Sequence, residues 1–245
     1  MAARHDAAPV LLAIESAVRP GVALLRGNEP CATRECAHPA AETLLPAIAD
    51  LLAEAGVALA GVDAFAISIG PGSFTGLRVG LATLKGLAFG SGRPAVAVPT
   101  LAALAQDAPP GEGAVVAALD ARRGEVYAAA FDPKSGSALA WLPEGVYGAA
   151  ALAAALPLPC RVVGEGAAIA ADALRARGAG VSLHPECAPR AEAVGRFGQL
   201  LLARGEGEDP ASLVPRYLRR AEAEVRRTGV RVERGAADRT RGESF

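Results

Sequence analysis

Apolar residues run unbroken over 10–14 and close on Glu15, the pattern of a buried strand that ends at an acid. A polar turn containing Pro20 and Gly21 leads to a second strand over 22–26, which makes the start of the chain a hairpin. A weaker third strand is expected over 31–36. Between 39 and 55, Leu44, Leu45, Ile48, Leu51 and Leu52 recur at helical spacing, with Pro39 suited to the first helical position and Pro46 inside the helix. Residues 62–69 read as another apolar strand, which runs into Gly70-Pro-Gly-Ser-Phe-Thr-Gly and then into a helix ending near Phe89. A short strand over 95–98 and a helix opened by Pro99 and Thr100 complete the first half.

The stretch Asp107-Ala-Pro-Pro-Gly-Glu-Gly113 carries two prolines and two glycines between apolar segments and reads as a linker. Beyond it the opening pattern recurs. Residues 114–120 are an apolar strand ending at Asp120, Arg122-Arg123-Gly124 form a turn, and 125–131 return as a strand. A strand running into a glycine turn and a helix recurs at Arg161-Val-Val-Gly-Glu-Gly166. Two related α/β lobes follow from this duplication, with chance similarity as the alternative. The expected division is a first lobe over 1–108, a linker over 109–113 and a second lobe over 114–218. The last helix, at about 191–204, is free to pack back on the first lobe. From Arg219 to Phe245 there are eight Arg against five acids and almost no large apolar residues, the composition of a solvated, poorly ordered tail.

Composition narrows the function classes. The 245 residues carry 25 Lys and Arg against 26 Asp and Glu, a net charge of -1, so the field of the whole chain does not favour nucleic acid. No window reaches the roughly 18 uncharged apolar residues of a membrane span, and the start of the chain lacks the pattern of a secretion signal, so cytoplasmic residence is the expectation. Four cysteines without a C-x-x-C pair read as reduced thiols.

Several residues invite a chemical reading. In Gly70-Pro-Gly-Ser-Phe-Thr-Gly-Leu-Arg78, the glycines permit close approach of a chain or an anion, and Ser73 or Thr75 can cap the helix that follows. Gly70, Gly72, Ser73, Thr75, Gly76 and Arg78 are therefore candidates to face a nucleotide or anion, against a tight turn with an ordinary cap. No Gly-Lys-Ser/Thr closes the loop as in a Walker motif. The helix after it mixes Gly76, Gly80, Thr83 and Gly86 with Leu77, Leu81, Leu84 and Leu87. Such a helix can pack on more than one side, as can the helix over 39–55, so both are either core helices or a partner surface. His38 and Glu42 stand four apart and could begin a metal site. Only His5 and His184 remain elsewhere, and no cysteine pair completes it. Glu15 and Asp120, at equivalent strand ends, could meet a substrate or simply hold turns. No catalytic triad is discernible.

Taken together, Gly70-Pro-Gly-Ser-Phe-Thr-Gly-Leu-Arg-Val-Gly80, Leu12-Ala-Ile-Glu-Ser16, His38 through Leu44-Leu-Pro46, Leu119-Asp-Ala-Arg-Arg-Gly-Glu-Val-Tyr127 and Pro215-Arg-Tyr-Leu-Arg219 resemble, in order, the TsaB (YeaZ) family. The resemblance spans about residues 10–219. It implies a two-lobed actin-like, Hsp70-like α/β ATPase fold with duplicated βββαβαβα lobes. It also implies the role of noncatalytic subunit in bacterial tRNA threonylcarbamoyladenosine synthesis, without catalytic or metal-ligating residues. The implied partners are the catalytic paralogue TsaD and the small ATPase TsaE, with a homodimer when alone, tRNA met only through the complex, and no membrane. No cofactor is held tightly, while a nucleotide trapped at a complex interface stays open. In that family the two first-lobe helices form the dimer bundle, which makes His38, Glu42, Leu45, Ile48, Leu52, Phe74, Leu77, Leu81 and Leu84 the expected partner interface. The paralogue's His-x-x-x-His pair is His38-x-x-x-Glu42 here, and Glu15 stands where Asp is more usual. An autonomous ATPase or small-molecule kinase, and a metallopeptidase-like enzyme, are the alternatives.

Overall fold

A computed structural model describes residues 8–132, 134, 138, 139, 141–178 and 180–219. The disordered tail expected beyond Arg219 lies outside the described residues. The first strands follow the sequence reading: β1 (Val10–Glu15), β2 (Gly21–Arg26) and β3 (Glu29–Glu35) form an antiparallel meander. Helix α1 (Ala40–Glu54), β4 (Ala64–Ser68), α2 (Phe74–Ala88), β5 (Ala95–Val98) and α3 (Thr100–Gln106) complete a β-β-β-α-β-α-β-α order. Strands β4 and β5 join parallel, giving the sheet β3-β2-β1-β4-β5.

The second half repeats that order with two short helices in place of α2. Strands β6 (Ala114–Asp120), β7 (Glu125–Phe131) and β8 (Gly145–Gly148) are an antiparallel meander. They are followed by α4 (Ala149–Ala155), β9 (Cys160–Val163), α5 (Gly166–Ile169), α6 (Ala171–Arg175), β10 (Val181–His184) and α7 (Ala191–Ala203). The sheet β10-β9-β6-β7-β8 is the first sheet's order reversed in listing, with the same parallel and antiparallel joins. The duplication read from the sequence is therefore a duplication of topology, and the fold is α/β, two units each built on one five-stranded sheet.

The chain divides into two compact units, residues 1–103 with 189–215, and 104–188 with 216–245. Helix α7 thus belongs to the first unit, where it packs on β1, β2, β4 and β5. Its glycines bring it close: a Cβ on Gly195 would lie 2.2 Å from Leu25, and one on Gly198 would lie 2.7 Å from Ala66. The opposite sheet face carries Leu12, Ile14, Leu24, Phe65 and Ile67 against α1 and α2. A sheet covered on both faces needs continuous apolar strands, and β1 is buried at all six positions.

The Pro-Gly stretch read as a linker is packed within the second unit. Arg161, itself buried, donates to the carbonyls of Pro109 and Gly113. Gly113 has a φ of +76°, and a Cβ there would lie 1.9 Å from the Pro159 carbonyl oxygen, so only glycine fits. None of the four cysteines is paired in a disulfide. Among the described residues no helix is long and apolar enough to cross a membrane.

Candidate functional site

The glycine-rich loop between β4 and α2 is seated on the turn between β1 and β2. Ser73 N–H donates to Ala17 O at 2.6 Å, and Gly70 exchanges bonds with Thr100, its N–H to Thr100 Oγ1 at 3.1 Å and its carbonyl from Thr100 N–H at 2.9 Å. The Ser73 hydroxyl caps α2 by accepting from Gly76 N–H at 3.2 Å. The glycines serve this seating. A Cβ on Gly72 would lie 2.5 Å from Ala17 O, on Gly76 2.0 Å from Ser16 O, and on Gly80 2.1 Å from Ser16 Oγ.

The residues expected to face an anion divide, with Gly72, Ser73, Thr75 and Arg78 exposed and Gly70 and Gly76 turned into the unit. Gly70 and Gly76 are buried, Gly72 and Gly76 meet protein backbone, and the Ser73 and Gly76 amides are bonded within the unit. Thr75 and Arg78 are exposed, and the Arg78 guanidinium lies 4.1 Å from the Phe74 ring centroid. What the sequence offered as a cradle is filled by Ser16 and Ala17.

Glu15 supports that filling from beneath. Its side chain is fully buried, and Oε1 accepts from Ala17 N–H at 2.7 Å and Val18 N–H at 2.8 Å, while Ser16 N–H donates to Ser68 Oγ at 3.3 Å. Oε2 and the Ser16 hydroxyl are buried without a hydrogen-bond partner among the described residues. Burial pushes the carboxyl up to about 7, against the opposing pull of the Ser68 hydroxyl and the two amides. A strand-end acid folded onto its own turn holds the turn rather than reaching a ligand.

The equivalent acid of the second unit behaves similarly. Asp120 Oδ1 accepts from Arg122 N–H at 2.6 Å and Oδ2 pairs with Arg122 Nη1 at 3.1 Å. Arg122 and Arg123 both take left-handed backbone, at φ 67° and 60°. The base of this hairpin is held by Arg219, which donates to Ala121 O and to the Glu125 carboxylate, while Arg216 pairs with Glu144 at 2.5 Å. The closing Pro215-Arg-Tyr-Leu-Arg219 segment is thus a clamp on the second unit.

Helices α1 and α2 lie side by side on the first sheet. Of the residues expected at a partner interface, His38, Glu42 and Leu45 are exposed and Phe74 is half-buried. Ile48, Leu52, Leu77, Leu81 and Leu84 are instead buried in the unit's own core, a correction with a simple cause. Each helix has a sheet beneath it and the other helix beside it, so a wide apolar arc is consumed internally. Among the described residues no group of three or more His, Cys, Asp or Glu is placed to hold a metal, so nothing joins His38 and Glu42.

The outward stripe of α1 is Ala41, Leu45, Ala49 and Ala53, and that of α2 is Arg78, Ala82, Gly86 and, just past its end, Phe89. Leu45 is 55% and Phe89 91% exposed, the two largest apolar side chains on these surfaces. A Cβ on Gly86 would meet nothing within 4 Å. Phe89 also borders a groove of about 780 Å³ between the end of α2, the turn to β5 and residues 207–211. The sequence reading missed this groove and Phe89; the signal available was an aromatic followed by Gly90-Ser-Gly92, a turn with no apolar partner nearby.

A family model of tRNA N6-adenosine threonylcarbamoyltransferase (TsaD) matches residues 34–144. The tRNA threonylcarbamoyladenosine biosynthesis protein TsaB of Escherichia coli is 44% identical over 94 residues, 38% of this chain and 41% of that protein. Its namesake in Haemophilus influenzae is 44% identical over 121 residues, 48% of this chain and 51% of its own length. The matches to these curated relatives span about half or less of their length. The structure of YeaZ from Pseudomonas aeruginosa superposes with a TM-score of 0.75 at 34% identity, covering 86% of this chain and all of that one. At 34% identity over the whole of that relative's length, the chain belongs to the TsaB (YeaZ) family.

Proposed function

We propose that this protein is the noncatalytic subunit of a tRNA threonylcarbamoyladenosine synthase. In this reading it binds and activates a TsaD-type transferase through the outward stripes of α1 and α2. The observation that carries the reading is Gly86. A mid-helix glycine weakens a helix by about 1 kcal/mol relative to alanine, and at Gly86 no neighbour among the described residues requires it. A bare helix surface of Ala82 and Gly86, beside Ala41, Leu45 and Ala49, suits the close approach of another helix.

The match of a transferase family model to 34–144, a range that includes both helices, supports a paralogous partner with a related pair. Two like pairs would close a four-helix contact, and the same stripes would pair two copies of this protein when the partner is absent. The noncatalytic part of the reading rests on Glu15, which is turned inward onto Ala17 and Val18. TsaE and tRNA would join through the assembled complex.

Size-exclusion chromatography with light scattering, on the protein alone and mixed with the TsaD of the same genome, tests the reading. A one-to-one complex that Leu45→Glu disrupts supports it. A protein that ignores TsaD, or that transfers threonylcarbamoyl groups alone, overturns it.

A further inference from the structure

The β1–β2 turn is the seat of α2, and one buried carboxyl shapes that turn. Glu15 Oε1 takes the N–H groups of Ala17 and Val18, and the turn so formed offers Ala17 O to Ser73 N–H and Ser16 to Gly76 and Gly80. Oε2 lies in the same buried space without a well-formed hydrogen bond among the described residues, the Ser68 hydroxyl being the side-chain donor that acts on this carboxyl. A neutral carboxyl tolerates one unpaired oxygen there at modest cost, whereas a carboxylate needs both oxygens solvated or paired.

We propose that Glu15 in its protonated form is a latch that seats the N-terminus of α2 on the β1–β2 turn, and that ionisation releases it. The proposal rests on the reading of α2 as a partner-binding helix, because releasing its first turn would loosen the stripe that begins at Arg78. No charged side chain sets the state of the carboxyl; burial raises it and only Ser68 and the two turn amides oppose that. The charged groups on the elements packed around β1 are Arg26 on β2, Arg78 and Lys85 on α2, and Glu192 and Arg196 on α7, none of them buried. Beside Glu15 itself, β2 presents Gly21 and β4 ends in Ser68. The transition of the latch therefore belongs to one group and falls near neutral pH.

The test uses the isolated full chain and then its complex with TsaD. A carbon-13 carboxyl titration of Glu15 and amide exchange at Ala17, Val18 and Ser73 are followed from about pH 6 to about pH 8.5. After correction for intrinsic exchange, protection at all three amides is expected to fall by about tenfold in total over this range, most of it below the carboxyl's midpoint, and to level off above it, as linkage to one proton requires. Glu15→Gln, which keeps an acceptor for both amides and cannot ionise, is expected to hold protection constant. TsaD affinity should fall by about tenfold over the same range in the native chain and stay level in the variant, a coupling of ordinary size. A Glu15 midpoint near the usual carboxylate range, or protection that does not follow it, overturns the latch, and the native chain decides this even if the variant fails to fold. Exchange that follows the midpoint while TsaD never binds would keep the latch and overturn the partner reading instead.

Discussion

A Cβ on Gly76 would stand 2.0 Å from the carbonyl oxygen of Ser16, a contact that leaves room for no side chain. The oxygen belongs to backbone that Glu15 and Ser73 hold in place, so the turn cannot give way alone. Gly76→Ala is expected to cost about 3 kcal/mol or more, at the severe end for an overpacked site. Gly80→Ala meets the Ser16 hydroxyl at 2.1 Å and Ser16 Cβ at 2.9 Å, and a hydroxyl can rotate. It should therefore cost less than Gly76→Ala, and Ser16→Ala should recover part of the loss. Urea denaturation of Gly76→Ala, Gly80→Ala, Ser16→Ala and the Gly80→Ala, Ser16→Ala double variant checks the order, and equal losses at 76 and 80 would contradict the seating described.

Gly86 lies on the same helix and makes the opposite prediction. With open space around its Cβ position, Gly86→Ala should stabilise the isolated chain by about 1 kcal/mol. If a partner helix crosses at this point, the added methyl should weaken complex formation with TsaD at least about tenfold. Thermal unfolding and isothermal titration of one variant separate the two effects. A stabilised variant with unchanged affinity would move the crossing point elsewhere.

The buried carboxyl also sets how stability depends on pH. Because Glu15 is raised from its ordinary value of 4.5 to about 7 in the folded state, the folded chain holds this proton more tightly than the unfolded chain. Its contribution is full below the ordinary value, declines as pH rises between the two, and is gone above about 7, a swing of about 3 kcal/mol. Glu15→Gln should remove this decline, so that the variant is the more stable protein at pH 8 and differs little at pH 4. Denaturation midpoints across that range decide it, and parallel pH profiles for native and variant chains would mean the carboxyl ionises without penalty.

Much of the fold was legible because its strongest signals are local. The apolar run closing on Glu15, its echo closing on Asp120 and the proline and glycine punctuation placed β1, β2, β4, α2, β6, β7 and α7 within a few residues. Strand β8, helices α4 and α6 and strand β10 were not read, since an alanine-rich stretch such as 149–155 carries no contrast between faces. The apparent linker misled for a different reason. Pro109 to Gly113 has the composition of a loop, but the residue that anchors it, Arg161, lies 48 residues beyond in the chain and nothing local announces it. The glycine loop shows the same dependence on a distant partner. Glycines at 72, 76 and 80 signalled close approach, and the chain that approaches them is Ser16-Ala17, far away in sequence.

Leu45, Ile48 and Leu81 look alike in the sequence and separate sharply in the structure. Leu45 is 55% exposed, whereas Ile48 and Leu81 are 1% and 4% exposed and belong to the core shared by α1, α2 and the first sheet. Leu45→Glu should leave the circular dichroism spectrum and unfolding midpoint close to those of the native chain, because an exposed apolar site tolerates a charge within about 0.5 kcal/mol. Ile48→Glu and Leu81→Glu each place a charge in a closed apolar space with no partner, at a cost of several kcal/mol that rivals the stability of a domain. Those two should express poorly or unfold, so any loss of TsaD binding in them says nothing about the contact surface. Loss of binding in a well-folded Leu45→Glu protein does. If Leu45→Glu instead unfolds the chain, α1 depends on Leu45 for its own packing; if it folds and binds as before, the partner surface excludes the middle of α1.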